Sequence, residues 1–256
     1  IQYFKNELNL DIQPLDKVNK VVHFSANKVA TLKGDFGYLF KRSKESDSFK
    51  NQIYQQLSST QVKFSEMADY QTLSKKFDYV VVANGNNIFT KELGCWSRWF
   101  KAYVRGAVIL GEFDPKEVHM WLNKDYCKNG YAYMTVFDQR KAVIVLIVPD
   151  TNEKEIDHYW ELFLYTENIK NTIIEEFKLE HTSGYVYPHK VGNVYFVGNA
   201  WGGIDPFLGF GQVNALTTGV EAARTIVQGL NYEKQLEKML RMNLWMYELR
   251  RAYNVL

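Results

Sequence analysis

The stretch VYFVGNAWGGIDPFLGFGQVNALTTGVEAARTIVQG, from Val194 to Gly229, constrains the fold more than any other part of the chain. A short β-type run is followed by closely spaced glycines around a proline, and then by an alanine-bearing segment with helical character. This predicts strand, glycine-rich turn and helix, with the helix beginning near Gly211 or Gln212. Glycines admit positive φ and bring a ligand against bare backbone, while the first turn of a helix leaves amide hydrogens unpaired. Such a turn suits a phosphorylated, polyhydroxylated, ring-bearing ligand better than a bare metal ion. The alternative is a tight strand-to-helix connection whose glycines serve packing alone.

The rest of the chain is read around that unit. IQYFKNELNL predicts an amphipathic helix, KVNKVVHFSANKVATLK short strands, and SFKNQIYQQL a helix with Phe49, Ile53 and Leu57 on one face. A short strand is expected between Val62 and Glu66. FDYVVVANG, Phe77 to Gly85, reads as a buried parallel strand ending at a ligand crevice. From Lys101 four strand-like runs, KAYVRGAVILGEF, EVHMWLNK, GYAYMTVFD and KAVIVLIVP, predict an antiparallel meander. EKEIDHYWELFLYTENIKNTIIEEF then predicts a long helical region with Ile156, Tyr159, Trp160 and Phe163 on one face and a break near Glu167. The texture therefore runs α/β, mostly β, then α/β again. It implies an α/β domain over residues 1–96 and 190–229, an inserted antiparallel sheet with helix over 97–189, and a C-terminal helical segment over 230–256.

Composition narrows the function classes. The 256 residues carry 31 basic and 29 acidic side chains, a formal charge of +2, which gives no electrostatic call for nucleic acid or an anionic membrane. The chain has 17 Tyr, 16 Phe and 6 Trp, enough to fill a core or to line a pocket for a flat ligand. Two cysteines, Cys95 and Cys127, make neither a disulfide framework nor a metal cluster, and His119 and His189 have no ligand spacing, so no metal is expected. No apolar run reaches the ~18 residues of a membrane span and no signal-peptide plan opens the chain, so a cytoplasmic location is expected. The start at Ile1 reads as the middle of a longer sequence. No G-K-[ST] follows the glycines, which argues against phosphate-loop nucleotide hydrolysis.

VYFVGNAWGGIDPFLGFGQVNALTTGVEAA resembles the second flavin-binding motif of FAD-dependent oxidoreductases related to geranylgeranyl reductases and aromatic-ring monooxygenases. That motif runs apolar strand, G-D-A-A/G, spacer, P-x-x-G-x-G and a helix with A-x-x-x-G. Gly198, Ala200, Gly202, Pro206, Gly209, Gly211, Ala215 and Gly219 fall at the matching places, and Asn199 stands at the aspartate position. GYLFKRSKESDSFKNQIYQQL is similar to the family's G-Y-x-x-x-R and helix segment, with Arg42 at the arginine. FDYVVVANG resembles its A-D-x-V-I-x-A-x-G strand. GYAYMTV is similar to the G-Y-x-W-x-F-P strand of the reductases, with Tyr133, Thr135 and Val136 at the Trp, Phe and Pro positions. The family's opening G-x-G-x-x-G unit occurs nowhere in the chain.

The resemblance implies a partial Rossmann-like FAD-binding domain of the glutathione reductase type, interrupted by a substrate domain. It implies cofactor contacts from Arg42, Gly198, Asn199, Ala200, Pro206, Gly209, Phe210, Gly211 and Gln212, and substrate contacts from Trp121, Tyr131 and Tyr133. FAD is the expected cofactor, NAD(P)H or another reductant the electron donor, and an apolar, isoprenoid-like small molecule the substrate. An upstream segment or a second polypeptide is expected to complete the site. Flavin-dependent monooxygenase and non-catalytic flavin-fold binding protein are the alternatives. Flavin chemistry needs no triad, and the sequence shows no evident acid, base or nucleophile.

Overall fold

The computed structural model describes residues 1–255. In chain order the helices are α1 (Gln2–Leu8), α2 (Phe49–Gln55), α3 (Tyr70–Ser74), α4 (Ile88–Glu92), α5 (Lys124–Cys127), α6 (Ile156–Thr166), α7 (Gln212–Gln228) and α8 (Tyr232–Asn254). The strands are β1 (Asp16–Ser25), β2 (Lys28–Leu39), β3 (Val80–Val82), β4 (Trp96–Leu110), β5 (Glu117–Leu122), β6 (Tyr131–Asp138), β7 (Lys141–Pro149), β8 (Thr172–Val186), β9 (Lys190–Val191) and β10 (Val194–Phe196). The chain is mixed α/β and divides into two compact units, residues 1–60 with 101–181 and residues 61–100 with 182–256.

That division corrects the expected one, in which residues 1–96 formed a single α/β segment. The reason is pairing: β1 forms a hairpin with β2 and runs parallel to β5, with Val21 opposite Val118 and Phe24 opposite Trp121. These strands extend the sheet of the first unit, whose order is β2-β1-β5-β6-β7-β4-β8. The expected meander holds for β5, β6 and β7, while β4 returns to pair with β7.

One face of this sheet packs on α6. Ala132, Met134, Ile144, Leu146, Ile109 and Trp121 meet Ile156, Trp160 and Phe163, all under a tenth exposed, as the one-sided apolar stripe of α6 requires. Bare backbone at Gly130 allows a close approach in this layer, because a Cβ there would collide with the Ile147 carbonyl oxygen. At the amino end, Gln52 of α2 and Gln56, its C-cap, act like an adjacent strand: their side-chain amides exchange hydrogen bonds with the backbone of Gln13 and Asp11 at 2.7–3.0 Å.

Three further expectations are corrected. Val62 to Glu66 forms no strand; these residues are exposed and Ser65 has φ 57°. The helix after Glu155 ends at Thr166, near the expected break, and residues expected to continue it become β8. Asn168 sits at φ 52°, and the β-branched Thr172, Ile173 and Ile174 then favour extended backbone. Leu57 lies beyond the end of α2 and is exposed.

The second unit holds a three-stranded sheet, β3-β10-β9. β3 and β10 run parallel in the register Val80 to Val194, Tyr195 to Val81 and Phe196 to Val82, as the return of parallel-strand texture predicts. β10 is wholly buried, but β3 is shorter than the apolar run and only Val82 is buried, with Val81 45% exposed. The expected buried strand is thus an edge strand in the described residues. Tyr195, Phe196, Val197, Trp201, Ala222, Tyr232 and Leu236 form the core beside it.

Replacing Gly130 by Ala is expected to destabilise the first unit by about 3 kcal/mol, since backbone rather than a flexible side chain would have to give way. Denaturant unfolding of G130A measures this; a midpoint equal to wild type would contradict the packing described.

Candidate functional site

The glycine-rich turn lies entirely in the second unit. β10 ends at Phe196, Val197 stays extended, and Gly198 to Trp201 form one 3-10 turn closed by Gly202 in the left-handed region. Gly198 has φ 59° and Gly202 φ 83°, conformations that favour glycine. Closeness adds a second reason: a Cβ at Gly202 would lie 2.6 Å from the Gly184 oxygen, and one at Gly203 2.8 Å from the Gly198 oxygen. Ala215 of α7 seats against Gly198, where a larger side chain would push the helix away.

Asn199 links this turn to the end of the parallel neighbour. Its Nδ2 donates to the Gly85 oxygen at 2.8 Å, so the two strand ends, VVVANG and YFVGNA, are held together. Its Oδ1 faces the Gly211 backbone, 3.6 Å from where a Cβ would stand. Thr218 Oγ1 accepts from the Gly198 amide at 2.9 Å and itself donates to the Asn214 oxygen at 2.7 Å, pinning α7 to the turn.

Between Asp205 and Phe210 the chain makes a compact loop. Asp205 Oδ1 accepts from the Phe207 and Leu208 amides at 2.9 Å, and Oδ2 from the Phe210 amide at 2.8 Å. Gly209, at φ 76°, donates to the Asp205 backbone oxygen at 3.1 Å. Asp205 escaped the sequence reading; the signal was an Asp-Pro pair two residues before the next backbone donor, a common side-chain-anchored turn. α7 starts at Gln212 with Gly211 as its N-cap and no side-chain cap, so its first-turn amides carry the helix's positive end outward.

The sequence-predicted residues now separate by role. Gly198, Ala200 and Pro206 are buried and shape the turn. Asn199, Gly209, Gly211 and Gln212 line the approach to α7, and the Phe210 ring is 68% exposed. Arg42 lies in the other unit, beyond β2, exposed. Burial raises the pKa of the Tyr133 phenol above the usual tyrosine value, and the positive charge of Arg42 partly opposes that rise.

The expected substrate trio is split, which corrects it as a single surface. Tyr131 and Tyr133 share one face of β6, with ring centroids 6.0 Å apart. Trp121 pairs with Ala132 and so points to the opposite face, into the core under α6, where its ring meets Phe163 edge-on at 5.4 Å.

A second charged cluster braces the unit. His189 is buried, its ring tilted against that of Trp201 with centroids 5.3 Å apart, and its Nδ1 pairs with Glu233 in the first turn of α8; its backbone amide donates to the same carboxylate at 2.7 Å. Tyr232 donates from its hydroxyl to the Phe196 oxygen at 2.8 Å, and burial pushes its pKa up. Burial of Glu233 raises its pKa, but the bonds from His189 outweigh it and leave the carboxyl below the usual range. No cluster of metal-ligating side chains occurs among the described residues, and both cysteines are free. No described helix is long and apolar enough to cross a membrane.

No protein-family model matches the sequence. Among solved structures, the chain is similar to a geranylgeranyl bacteriochlorophyll reductase-like protein from Thermoplasma acidophilum, at TM-score 0.74 and 15% identity over 99% of this chain and 76% of that one. It is also similar to the flavin-dependent brominase Bmp2, at TM-score 0.63 and 13% identity over 89% of this chain and 67% of that one. A flavoprotein/dehydrogenase from Cytophaga hutchinsonii aligns at TM-score 0.64 and 10% identity, covering 93% and 69% of the two chains. The chain therefore falls in the fold class of these flavoproteins, a mixed α/β architecture. Within that class the neighbour of highest TM-score among these three is the reductase-like one.

Two outcomes are expected. Glu233, with its folded pKa depressed, adds stability above its unfolded value near 4.5 that is lost as pH falls through the folded value. E233Q should remove this acid-dependent part, so that its unfolding midpoint changes less than that of wild type below about pH 4.5; an equal change would sink the role of the pair. Gly219 sits inside α7 with nothing within 4 Å of an added Cβ, so G219A should stabilise this chain by up to about 1 kcal/mol in thermal unfolding.

Proposed function

We propose that the chain is the flavin-proximal part of an FAD-dependent oxidoreductase acting on an apolar, isoprenoid-like small molecule. One observation carries the reading: a strand-end 3-10 turn, tied by Asn199 to its parallel neighbour, aims an uncapped helix start across bare glycine backbone. The residues fit the ribityl and ring end of FAD. Asn199 Oδ1 is an acceptor for a ribityl hydroxyl, and the amides at Gly211 to Asn214 are donors for negative charge. FAD, when bound, supplies hydride or oxygen chemistry. The chain's own residues bind and orient it, and the positive end of α7 favours electron density arriving nearby.

The fit stops at the dinucleotide end, since no G-x-G-x-x-G is present. An additional segment or second polypeptide supplying that end is part of the proposal. The open edge of β3 and the apolar side chains that α7 leaves exposed, Val213 at 51% and Val227 at 83%, support it. NAD(P)H or another reductant would deliver the electrons. Tyr131 and Tyr133, which share one sheet face of the first unit, are proposed as substrate contacts.

Reductase chemistry is preferred to hydroxylation on the Gly130, Tyr131 and Tyr133 placement. The test is isolation of the protein from its native host with whatever completes it. A yellow preparation whose reduced flavin is reoxidised anaerobically by a prenyl lipid is expected. Substrate-stimulated oxygen uptake with a hydroxylated product would favour the monooxygenase, and a colourless preparation that takes up no FAD would leave a non-catalytic binding protein.

A further inference from the structure

We infer that α8 is a dimerisation element, whose outer face pairs antiparallel with α8 of a second copy of this chain. The helix runs 23 residues, and its inner side is settled by the buried Tyr232, Leu236, Asn243 and Arg250. On the other side lies a second seam, Lys238, Met242, Trp245, Leu249 and Ala252, spaced alternately four and three residues apart. That spacing is the a and d pattern of a two-stranded coiled coil, in which each side chain enters a hole on a facing helix. Met242 is 58%, Trp245 62% and Leu249 38% exposed, so the apolar part of this seam meets water in a single chain. The core of the unit takes Tyr232 and Leu236 from α8, packs Met239 and Leu240 at its margin, and leaves the stripe outside.

Charge decides the occupant and its direction. Arg241 precedes Met242 and Glu248 precedes Leu249, so the two flank the seam on the same side. An antiparallel copy, registered with Met242 on Trp245 of the second copy, sets Lys238 against Leu249 and Arg241 beside Glu248. Two-fold symmetry makes each of these contacts twice. The lysine lays its aliphatic stem along the leucine and keeps its ammonium in water. A parallel copy would instead put Lys238 on Lys238 and set the flanking charges beside Met246 and Tyr253, with no ion pair. Within one chain Arg241 pairs with Glu237, and Glu248 with Arg251 at 3.0 Å, all four side chains more than half exposed. Such surface pairs hold weakly, and both charges remain able to bridge between copies. The seam spans little more than two heptads, so half-association is expected on the order of 10 μM. It uses no residue of the glycine turn and needs no flavin, and its failure leaves the proposed activity untouched.

Sedimentation velocity is run from about 1 to 100 μM on the protein isolated with whatever completes it, bracketing the expected midpoint. Wild type is compared with W245E, R241E, E248R and the double variant R241E/E248R, with thermal midpoints recorded alongside. Wild type should pass from one copy of the chain to two across that range, and W245E should weaken association at least about tenfold. Each single charge reversal should weaken it several-fold by setting like charges across the interface, and the double variant should restore it. In that double variant residues 237 and 241, and 248 and 251, carry like charges within the helix, so recovery reports the contact between copies and not helix stability. If W245E does not fold, the charge reversals decide. A wild type that stays single, a W245E protein that dimerises as wild type does, or a double variant no better than the single ones overturns the inference. Trp245-dependent binding of single copies to phosphatidylglycerol vesicles, or to a different polypeptide, overturns it as well by naming another occupant.

Discussion

The parallel pairing of β3 with β10 is the contact on which the second unit depends. It brings two strand ends into one place, and the Asn199 side chain then bonds across 114 residues of sequence to the Gly85 oxygen. Every feature of the glycine turn follows from that juxtaposition. The 3-10 turn has room only because Gly202 and Gly203 lack side chains, and α7 can approach only because Ala215 meets Gly198. Thr218 and Tyr232 then spend their hydroxyls on backbone at the strand end, so the helices α7 and α8 are located by polar bonds as well as by burial. Such buried polar contacts specify one arrangement, because leaving any of them unmade would strand a donor away from water.

The first unit solves a different problem. Its sheet has an α6-covered face that is a packed core, and strand alternation sends every second side chain of β6 to the other side. That alternation, more than residue type, decides which aromatics the core takes up. Trp121 and Tyr133 lie close in sequence and in the sheet, yet the register assigns one to the core and the other to the opposite face. Arg105 shows the same economy at the edge of the core: its guanidinium lies over Trp160 at 5.8 Å while reaching Glu176 at 2.9 Å, a cation held by an aromatic face and an acid together.

Much of the candidate site was legible because glycines mark backbone conformations directly. Gly198, Gly202 and Gly209 all have positive φ, and the start of α7 at Gln212 matches the reading of the turn. The helix stripe of Ile156, Trp160 and Phe163 was equally plain, since a period near 3.6 repeats over three turns. What failed was long-range pairing. Nothing local in KVNKVVHFS says that it runs parallel to EVHMWL, and that single pairing moves the first 60 residues to the other unit. The long helix misread at Thr172 shows propensity losing to sequence averaging: two helical-looking blocks flank an αL residue at Asn168, beyond which β-branched residues build a strand. Asp205 was invisible for a related reason, since a carboxylate that serves its own loop leaves no periodic trace.

The division of the second unit into two separated stretches of chain has a kinetic side. Val80 to Val82 leave the ribosome long before their partners Val194 to Phe196 exist. At ordinary elongation speeds the wait is on the order of ten seconds. During it the apolar run from Phe77 to Val82, with its unpaired backbone, is a sticky segment with no native address. Closing so long a loop is entropically slow as well as late. The lysines at 75 and 76 beside that run set positive charge against its self-association during the wait.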